Sequence, residues 1–183
     1  MNNYIQIYKN AISDEYCDEL INKFEIESNK ETYDQGPMSF TQVNLNKNKW
    51  QGDIERLSSV FTKYLQQYKN DCVITEHMWP ERYAFEEIRL KKYLANNKDR
   101  FDPHVDSISL DSAKRFLVFF IYLNNNKRGE TNFPQLGLAS PCVKGSLLMF
   151  PPLWPWLHQG MIPIEKPKYI IGSYLHFTKL DNN

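Results

Sequence analysis

Four side chains of this sequence have the types and spacing to do chemistry together. "FDPHVDSIS", residues 101–109, sets His104 and Asp106 two positions apart. Alternate residues of an extended strand point to one face, so this spacing presents an imidazole beside a carboxylate. A lone pair of this kind is a weak signal, because a metal needs further ligands. The remaining imidazoles are His77, His158 and His176. His158 lies in "FPPLWPWLHQG", just after an expected strand and among bulky aromatics, where a histidine taken alone reads as a core residue. Lys168 follows ten residues later, at the start of the next expected strand.

Two histidines and one carboxylate make the facial triad of non-haem Fe(II) oxygenases. His104, Asp106 and His158 would cover one face of an octahedron and leave the opposite positions open. Neutral imidazoles and a single carboxylate leave a net positive charge on Fe(II), which favours an anionic chelator and O2. 2-Oxoglutarate is the candidate, chelating through its C1 carboxylate and keto oxygen. Its distal carboxylate would then lie deep in the fold and need a cation, since an unpaired buried carboxylate is strongly disfavoured. Lys168 is the expected partner. It shares a strand face with Ile170, Gly172, Tyr174 and His176, and Gly172 is expected to leave room beside it. Read without the histidines, Lys168 is an ordinary strand-end lysine, and His176 is the alternative to His158.

These groups need elements to position them. "YIQIY" at 4–8 reads as a short strand. Ser13 then caps an amphipathic helix over 14–27, with Asp14 and Glu15 in its first turn. Residues 28–50 read as polar and irregular, broken by Gly36-Pro37, and form the expected substrate loop. A second helix over 53–69 carries Ile54, Leu57, Phe61, Leu65 and Tyr68 at helical spacing. Beyond Pro80 the pattern turns to strands: 85–94, 115–123, 145–150 and 168–177, with 124–130 as a turn. The prediction is one domain over 1–183, mainly β with flanking helices, closed as a double-stranded β-helix (jelly-roll barrel). Residues 1–80 are expected to give helical support and the substrate loop, and 83–177 the barrel core.

Composition narrows the function. Aromatics at 14% and hydrophobics at 42% exclude a disordered chain. Lysine plus arginine equals aspartate plus glutamate, 22 each, so nothing suggests the basic excess of a nucleic-acid binder. Cys17, Cys72 and Cys142 form no CxxC pair, which argues against a zinc–thiolate site and fits a reducing compartment. The longest apolar run, "FLVFFIYL", is too short to span a bilayer. The N-terminus lacks the pattern of a signal peptide. These features predict a cytoplasmic protein with no membrane partner, and they disfavour nucleic acid as a partner.

The ordered motifs "IRLKKY" (88–93), "PHVDS" (103–107), "RFLVFFIYLNN" (115–125), "GETNFP" (129–134), "KGSLLMFPP" (144–152), "HQG" (158–160) and "KYIIGSYLHF" (168–177) resemble the prolyl 4-hydroxylase-like branch of the Fe(II)/2-oxoglutarate dioxygenases. "NAISDEYCDELINKFE" is similar to the helix that opens this family's domain. The likeness covers the chain except 28–50 and roughly 69–82. It implies His104, Asp106 and His158 as iron ligands and Lys168 as partner of the distal carboxylate of 2-oxoglutarate. It further implies cosubstrate contacts from Tyr93, Tyr122 and Thr131. Phe101 stands where many members have a tyrosine, and Asp106 sets the chain apart from halogenating relatives, which lack the acid. The implied reaction consumes O2 and 2-oxoglutarate, releases succinate and CO2, and hydroxylates a C–H bond of a peptidyl or free proline-like substrate. Trp50, Trp154 and Trp156 are expected around the cavity. Two other readings stay open: a non-catalytic jelly-roll binding module, and a dioxygenase acting on another amino acid, a small molecule or a nucleobase.

Overall fold

A computed structural model describes residues 4–179. The Ser13 hydroxyl accepts a hydrogen bond from the Tyr16 backbone N–H at 3.2 Å and starts α1 (Asp14–Ile26), as its cap position predicts. The second helix, α2 (Gln51–Asp71), buries Leu57, Phe61, Leu65 and Tyr68 along one face. The two helices are tied by the Tyr16 hydroxyl, which donates to Asp53 at 3.0 Å.

The strands are β1 (Gln6–Tyr8), β2 (Glu31–Gln35), β3 (Met38–Asn44), β4 (Tyr83–Phe85), β5 (Arg89–Tyr93), β6 (Arg100–His104), β7 (Arg115–Tyr122), β8 (Asn126–Phe133), β9 (Leu138–Cys142), β10 (Leu147–Phe150), β11 (His158–Gly160) and β12 (Lys168–Phe177). They pair in the order β1-β10-β7-β12-β5-β3-β6-β11-β8-β9, with β2 added to β3 and β4 to β12. The sheet curls on itself, so strands from opposite ends of this order meet. Phe133 at the end of β8 packs edge-on against Phe150 of β10, with ring centroids 4.8 Å apart.

The two-residue period of β7 explains why that strand is apolar throughout. Leu117, Phe119 and Ile121 join the core under the helices, where Phe61 meets Phe119 at 4.7 Å. Val118, Phe120 and Tyr122 point the other way, into a second core inside the barrel with Phe133, Leu148 and Phe150. The site is built at the polar margin of this inner core.

Three expectations are corrected. Residues 28–50 are not irregular: they form the β2–β3 hairpin, and β3 lies between β5 and β6 in the sheet. Gly36, at φ +50°, takes the first position of a two-residue turn, so Gly36-Pro37 joins strands where a breaker was expected. Residues 1–80 therefore contribute strands as well as helices. The expected turn at 124–130 is mostly strand, because β8 begins at Asn126 and pairs with β9. The expected strand 85–94 is divided, with β4 and β5 separated by Glu86–Ile88.

Candidate active site

β6 and β11 run antiparallel, and His104 and His158 are direct partners across the pair. Residues directly opposite bring their side chains close on one face, and the two imidazole centroids lie 4.3 Å apart. β6 ends at His104, so Asp106 is not on the strand as its spacing suggests. It lies in a bend held by backbone hydrogen bonds from Asp106 and Ser107 to the Pro152 carbonyl, at 3.1 and 3.2 Å. The bend turns the carboxylate back toward the histidines. Asp106 Oδ1 lies 3.8 Å from His104 Nε2, and Oδ2 lies 3.4 Å from His158 Nε2. One donor atom from each of the three residues falls within 4.8 Å of the other two.

Hydrogen bonding fixes which atoms are free. His104 Nδ1 is 2.7 Å from the Asp102 carbonyl, and His158 Nδ1 is 3.1 Å from that of Trp156. A carbonyl only accepts, so each ring holds its proton on Nδ1 and presents a bare Nε2 lone pair to the centre. Burial pulls the His104 imidazole down to about 4, with His158 adding to the effect, and burial also lowers His158. Both rings are therefore neutral near pH 7, the state a metal requires. Asp106 Oδ1 accepts a hydrogen bond from the Tyr174 hydroxyl at 2.8 Å, whereas Oδ2 is buried without a partner. A buried carboxylate with one unpartnered oxygen, set beside two bare imidazole nitrogens, is disposed to take up a cation. The donor set thus fits a divalent metal, with three protein ligands on one side.

Residues beyond these donors hold them in place. Arg115 makes a two-point contact with Glu86, at 2.8 and 2.9 Å, and its guanidinium lies 4.1 Å from the Tyr174 ring centroid. Burial, with the Asp106 carboxylate next, raises the Tyr174 phenol well above its ordinary range, so it remains a donor. Phe101 stacks on His104 at 3.7 Å, and Phe150 meets His158 edge-on at 4.7 Å.

Lys168 begins β12 opposite Tyr93 of β5. It is 2% exposed, its Nζ lies 4.5 Å from the Tyr93 ring centroid, and its one hydrogen bond among the described residues is a long 3.5 Å contact to the Met161 carbonyl. Among the described residues no carboxylate forms an ion pair with it, and burial pulls its ammonium down to about 8. The room for this side chain does not come from Gly172. A Cβ there would sit 2.2 Å from the Phe119 carbonyl, so Gly172 admits the neighbouring strand β7. Gly129 and Gly160 flank the lysine instead: a Cβ at the first would come within 2.9 Å of Lys168 Cδ, and one at the second within 3.4 Å of Nζ. Thr131 pairs with Gly160 across β8 and β11, and the Tyr122 hydroxyl donates to Thr131 Oγ1 at 2.8 Å. Tyr93, Tyr122, Thr131 and Lys168 are therefore gathered at one end of the barrel.

Other expected residues lie elsewhere. His176 faces the Phe177 carbonyl, outside the donor group. Trp154 is 78% exposed, Trp50 is buried beside α2 with its indole N–H on Glu27, and Trp156 packs on Tyr4. None lines the cavity that holds His104 and Asp106. That cavity, about 550 Å³, is walled partly by Tyr33, Met38 and Phe40 of the hairpin and by Lys91 of β5. Tyr174, Arg115 and Lys91 were not singled out for a role in the sequence. Tyr174 shares the strand face of Lys168, and Lys91 that of Tyr93, which was the available signal.

No protein-family model matches the chain, and no curated protein does. Solved structures do. The viral collagen prolyl hydroxylase of Paramecium Bursaria Chlorella virus-1, in its 2OG complex, aligns at TM-score 0.74 and 20% identity, over 96% of this chain and 97% of that one. A Pseudomonas putida prolyl-4-hydroxylase aligns at TM-score 0.73 and 12% identity, over 97% and 94%. A Trichoplax adhaerens prolyl hydroxylase, in complex with a hypoxia inducible factor oxygen degradation domain peptide fragment, gives 0.71 and 14%, over 95% and 84%. The strand pairing and these alignments together give the chain the jelly-roll fold found in prolyl hydroxylases and 2OG-Fe(II) oxygenases.

Proposed function

We propose that the chain is an Fe(II)- and 2-oxoglutarate-dependent oxygenase that hydroxylates a C–H bond, with a peptidyl or free proline-like molecule as substrate. The observation that carries this reading is the Asp106 carboxylate, with Oδ2 buried and unpartnered, set between two imidazoles whose Nδ1 atoms are already engaged. His104, Asp106 and His158 would hold the iron, and Lys168 would take the distal carboxylate of 2-oxoglutarate. When bound, iron and 2-oxoglutarate supply the oxidising power that turns a C–H bond and O2 into an alcohol, releasing succinate and CO2.

The protein's part is binding, orientation and exclusion of water. Tyr174 fixes the Asp106 carboxylate, and the two backbone carbonyls fix the imidazoles. Phe101, Phe133 and Phe150 keep the histidine faces dry. The Tyr122–Thr131 pair and Tyr93 line the space around the lysine ammonium. The hairpin wall of the cavity is the substrate-facing surface in this reading. The peptide complex of the Trichoplax structure supports a peptide as substrate. No helix among the described residues is long and apolar enough to cross a membrane, and the buried thiols of Cys17, Cys72 and Cys142 support our placement of the protein in a reducing compartment.

Iron-loaded protein incubated with 2-oxoglutarate, O2 and a panel of proline-containing peptides, free amino acids and oligonucleotides tests the reading. A product heavier by one oxygen, formed together with succinate, is expected. Iron binding without succinate formation from any substrate would leave a binding module instead.

A further inference from the structure

Lys91 projects from the same face of β5 as Arg89 and Tyr93 and lines the cavity that holds His104 and Asp106. Three strong cations line this cavity, Arg89, Lys91 and Arg115, against one carboxylate, Asp106. Two of the cations are already matched: Arg89 lies 2.9 Å from Glu87, and Arg115 grips Glu86. Lys91 is not. Its Nζ lies over the rings of Phe40 and Phe101, 4.7 and 5.7 Å from their centroids, and among the described residues it has no ion pair and no hydrogen bond. The Phe101 ring that it overlooks stacks on His104 at 3.7 Å, so the ammonium lies about one aromatic ring from the metal-facing imidazole.

The charge balance sharpens this, and it rests on the oxygenase reading. Fe(II) with one carboxylate and two neutral imidazoles carries one positive charge, and Lys168 and Lys91 add two. Doubly negative 2-oxoglutarate offsets two of the three. One positive charge remains, and the unmatched cation on the open side of the cavity is Lys91. Lys168 is enclosed between Gly129 and Gly160 and does not line this cavity, whereas Lys91 faces its space directly. A buried charge is costly until it is paired.

We propose that Lys91 receives a carboxylate of the substrate, so that the molecule hydroxylated carries an anionic group beside the carbon that reacts. Burial pulls the Lys91 ammonium down to about 8, so an incoming carboxylate also favours its charged form. The carboxylate is either the α-carboxylate of a free amino acid or an acidic side chain next to the target residue of a peptide.

The test uses the full chain loaded with Fe(II) and saturated with 2-oxoglutarate, without O2, and measures binding calorimetrically for matched probes. L-Proline is compared with L-prolinamide. Acetyl-glycyl-prolyl-glutamyl amide is compared with its glutaminyl counterpart. In one pair at least, the carboxylate should bind about tenfold or more tightly than the neutral probe, the ratio that about 1.4 kcal/mol produces. The responding pair tells a free amino acid from an acidic peptide. Lys91→Met should erase the difference, Lys91→Arg should keep it, and 2-oxoglutarate affinity should stay within about threefold in both; Lys91→Gln replaces the methionine variant if circular dichroism shows that it misfolds. The proposal is overturned if no carboxylate outbinds its amide, if the preference survives Lys91→Met, or if that variant weakens 2-oxoglutarate about tenfold. Wild-type protein that fails to bind 2-oxoglutarate defeats the oxygenase reading and this proposal with it, whereas normal 2-oxoglutarate binding without a carboxylate preference defeats this proposal alone.

Discussion

Tyr174 gives Asp106 Oδ1 a hydrogen bond at 2.8 Å and thereby fixes the carboxylate with Oδ2 turned toward His158. Loss of such a supporting contact typically costs about 10–100-fold in metal affinity. Tyr174→Phe should therefore weaken Fe(II) binding by about that factor while leaving the fold intact, as metal titration against a competing chelator will show; unchanged affinity would mean that the carboxylate orients itself. Lys168 acts on the cosubstrate and not on the metal. Removing one partner of a buried ion pair costs roughly 3–5 kcal/mol, so Lys168→Ala should weaken 2-oxoglutarate on the order of a hundredfold or more. Iron affinity should change little, because the lysine ends at Gly160 and not among the metal-facing atoms. Lys168→Arg should recover only part of the loss, since its planar fork is larger than an ammonium. At this scale the sequence was legible where residue type alone constrains chemistry, as at His104, Asp106 and His158. It put Tyr174 on the strand face of Lys168 but not against Asp106, because that contact depends on a bend after β6 that no local pattern announces.

The strands decide whether those residues meet. His104 and His158 are far apart in sequence and adjacent only because β6 pairs with β11. Period and burial made β7, β10 and β12 readable, since both faces of those strands are covered. β8 was misread because "NNNKRGE" is polar, yet β9 supplies its backbone partners and solvent accepts its outward side chains. The hairpin was misread for another reason. Gly36-Pro37 taken alone is a breaker, but Gly at the first of two turn residues between alternating runs is also a hairpin signal. Gly172 shows the limit of reasoning along one strand, because the close neighbour is β7 and not the lysine on its own strand. Gly172→Ala would place a methyl group 2.2 Å from the Phe119 carbonyl. Overpacking of this kind costs roughly 1–3 kcal/mol or more, so the urea midpoint should fall clearly; an unchanged midpoint would contradict the close β7–β12 approach. Gly36→Ala meets no atom within 4 Å but keeps φ at +50°, so its smaller loss would come from backbone strain alone.

Burying two neutral histidines also sets how the whole molecule responds to pH. His104 is held at about 4 in the folded chain, against roughly 6.5 when unfolded. Between these values the unfolded state binds the extra proton, so stability rises with pH across the window. The metal-free protein should keep this contribution above about pH 6.5 and lose it as pH falls toward 4, with His104 responsible for on the order of 3 kcal/mol. Urea unfolding across that range will show the slope, and His104→Gln should flatten it; an equal slope in the variant would assign the effect to other groups. In the oxygenase reading one end of this barrel brings a metal and a dicarboxylate together. The most direct test of that reading is an anaerobic titration of Fe(II)-loaded protein with 2-oxoglutarate, followed by visible absorbance. The expected result is a metal-to-ligand charge-transfer band that saturates at one 2-oxoglutarate per chain, is absent in His158→Ala, and needs on the order of a hundredfold more 2-oxoglutarate in Lys168→Ala. No band in the iron-loaded wild type, or a band with the same affinity in Lys168→Ala, would contradict the reading.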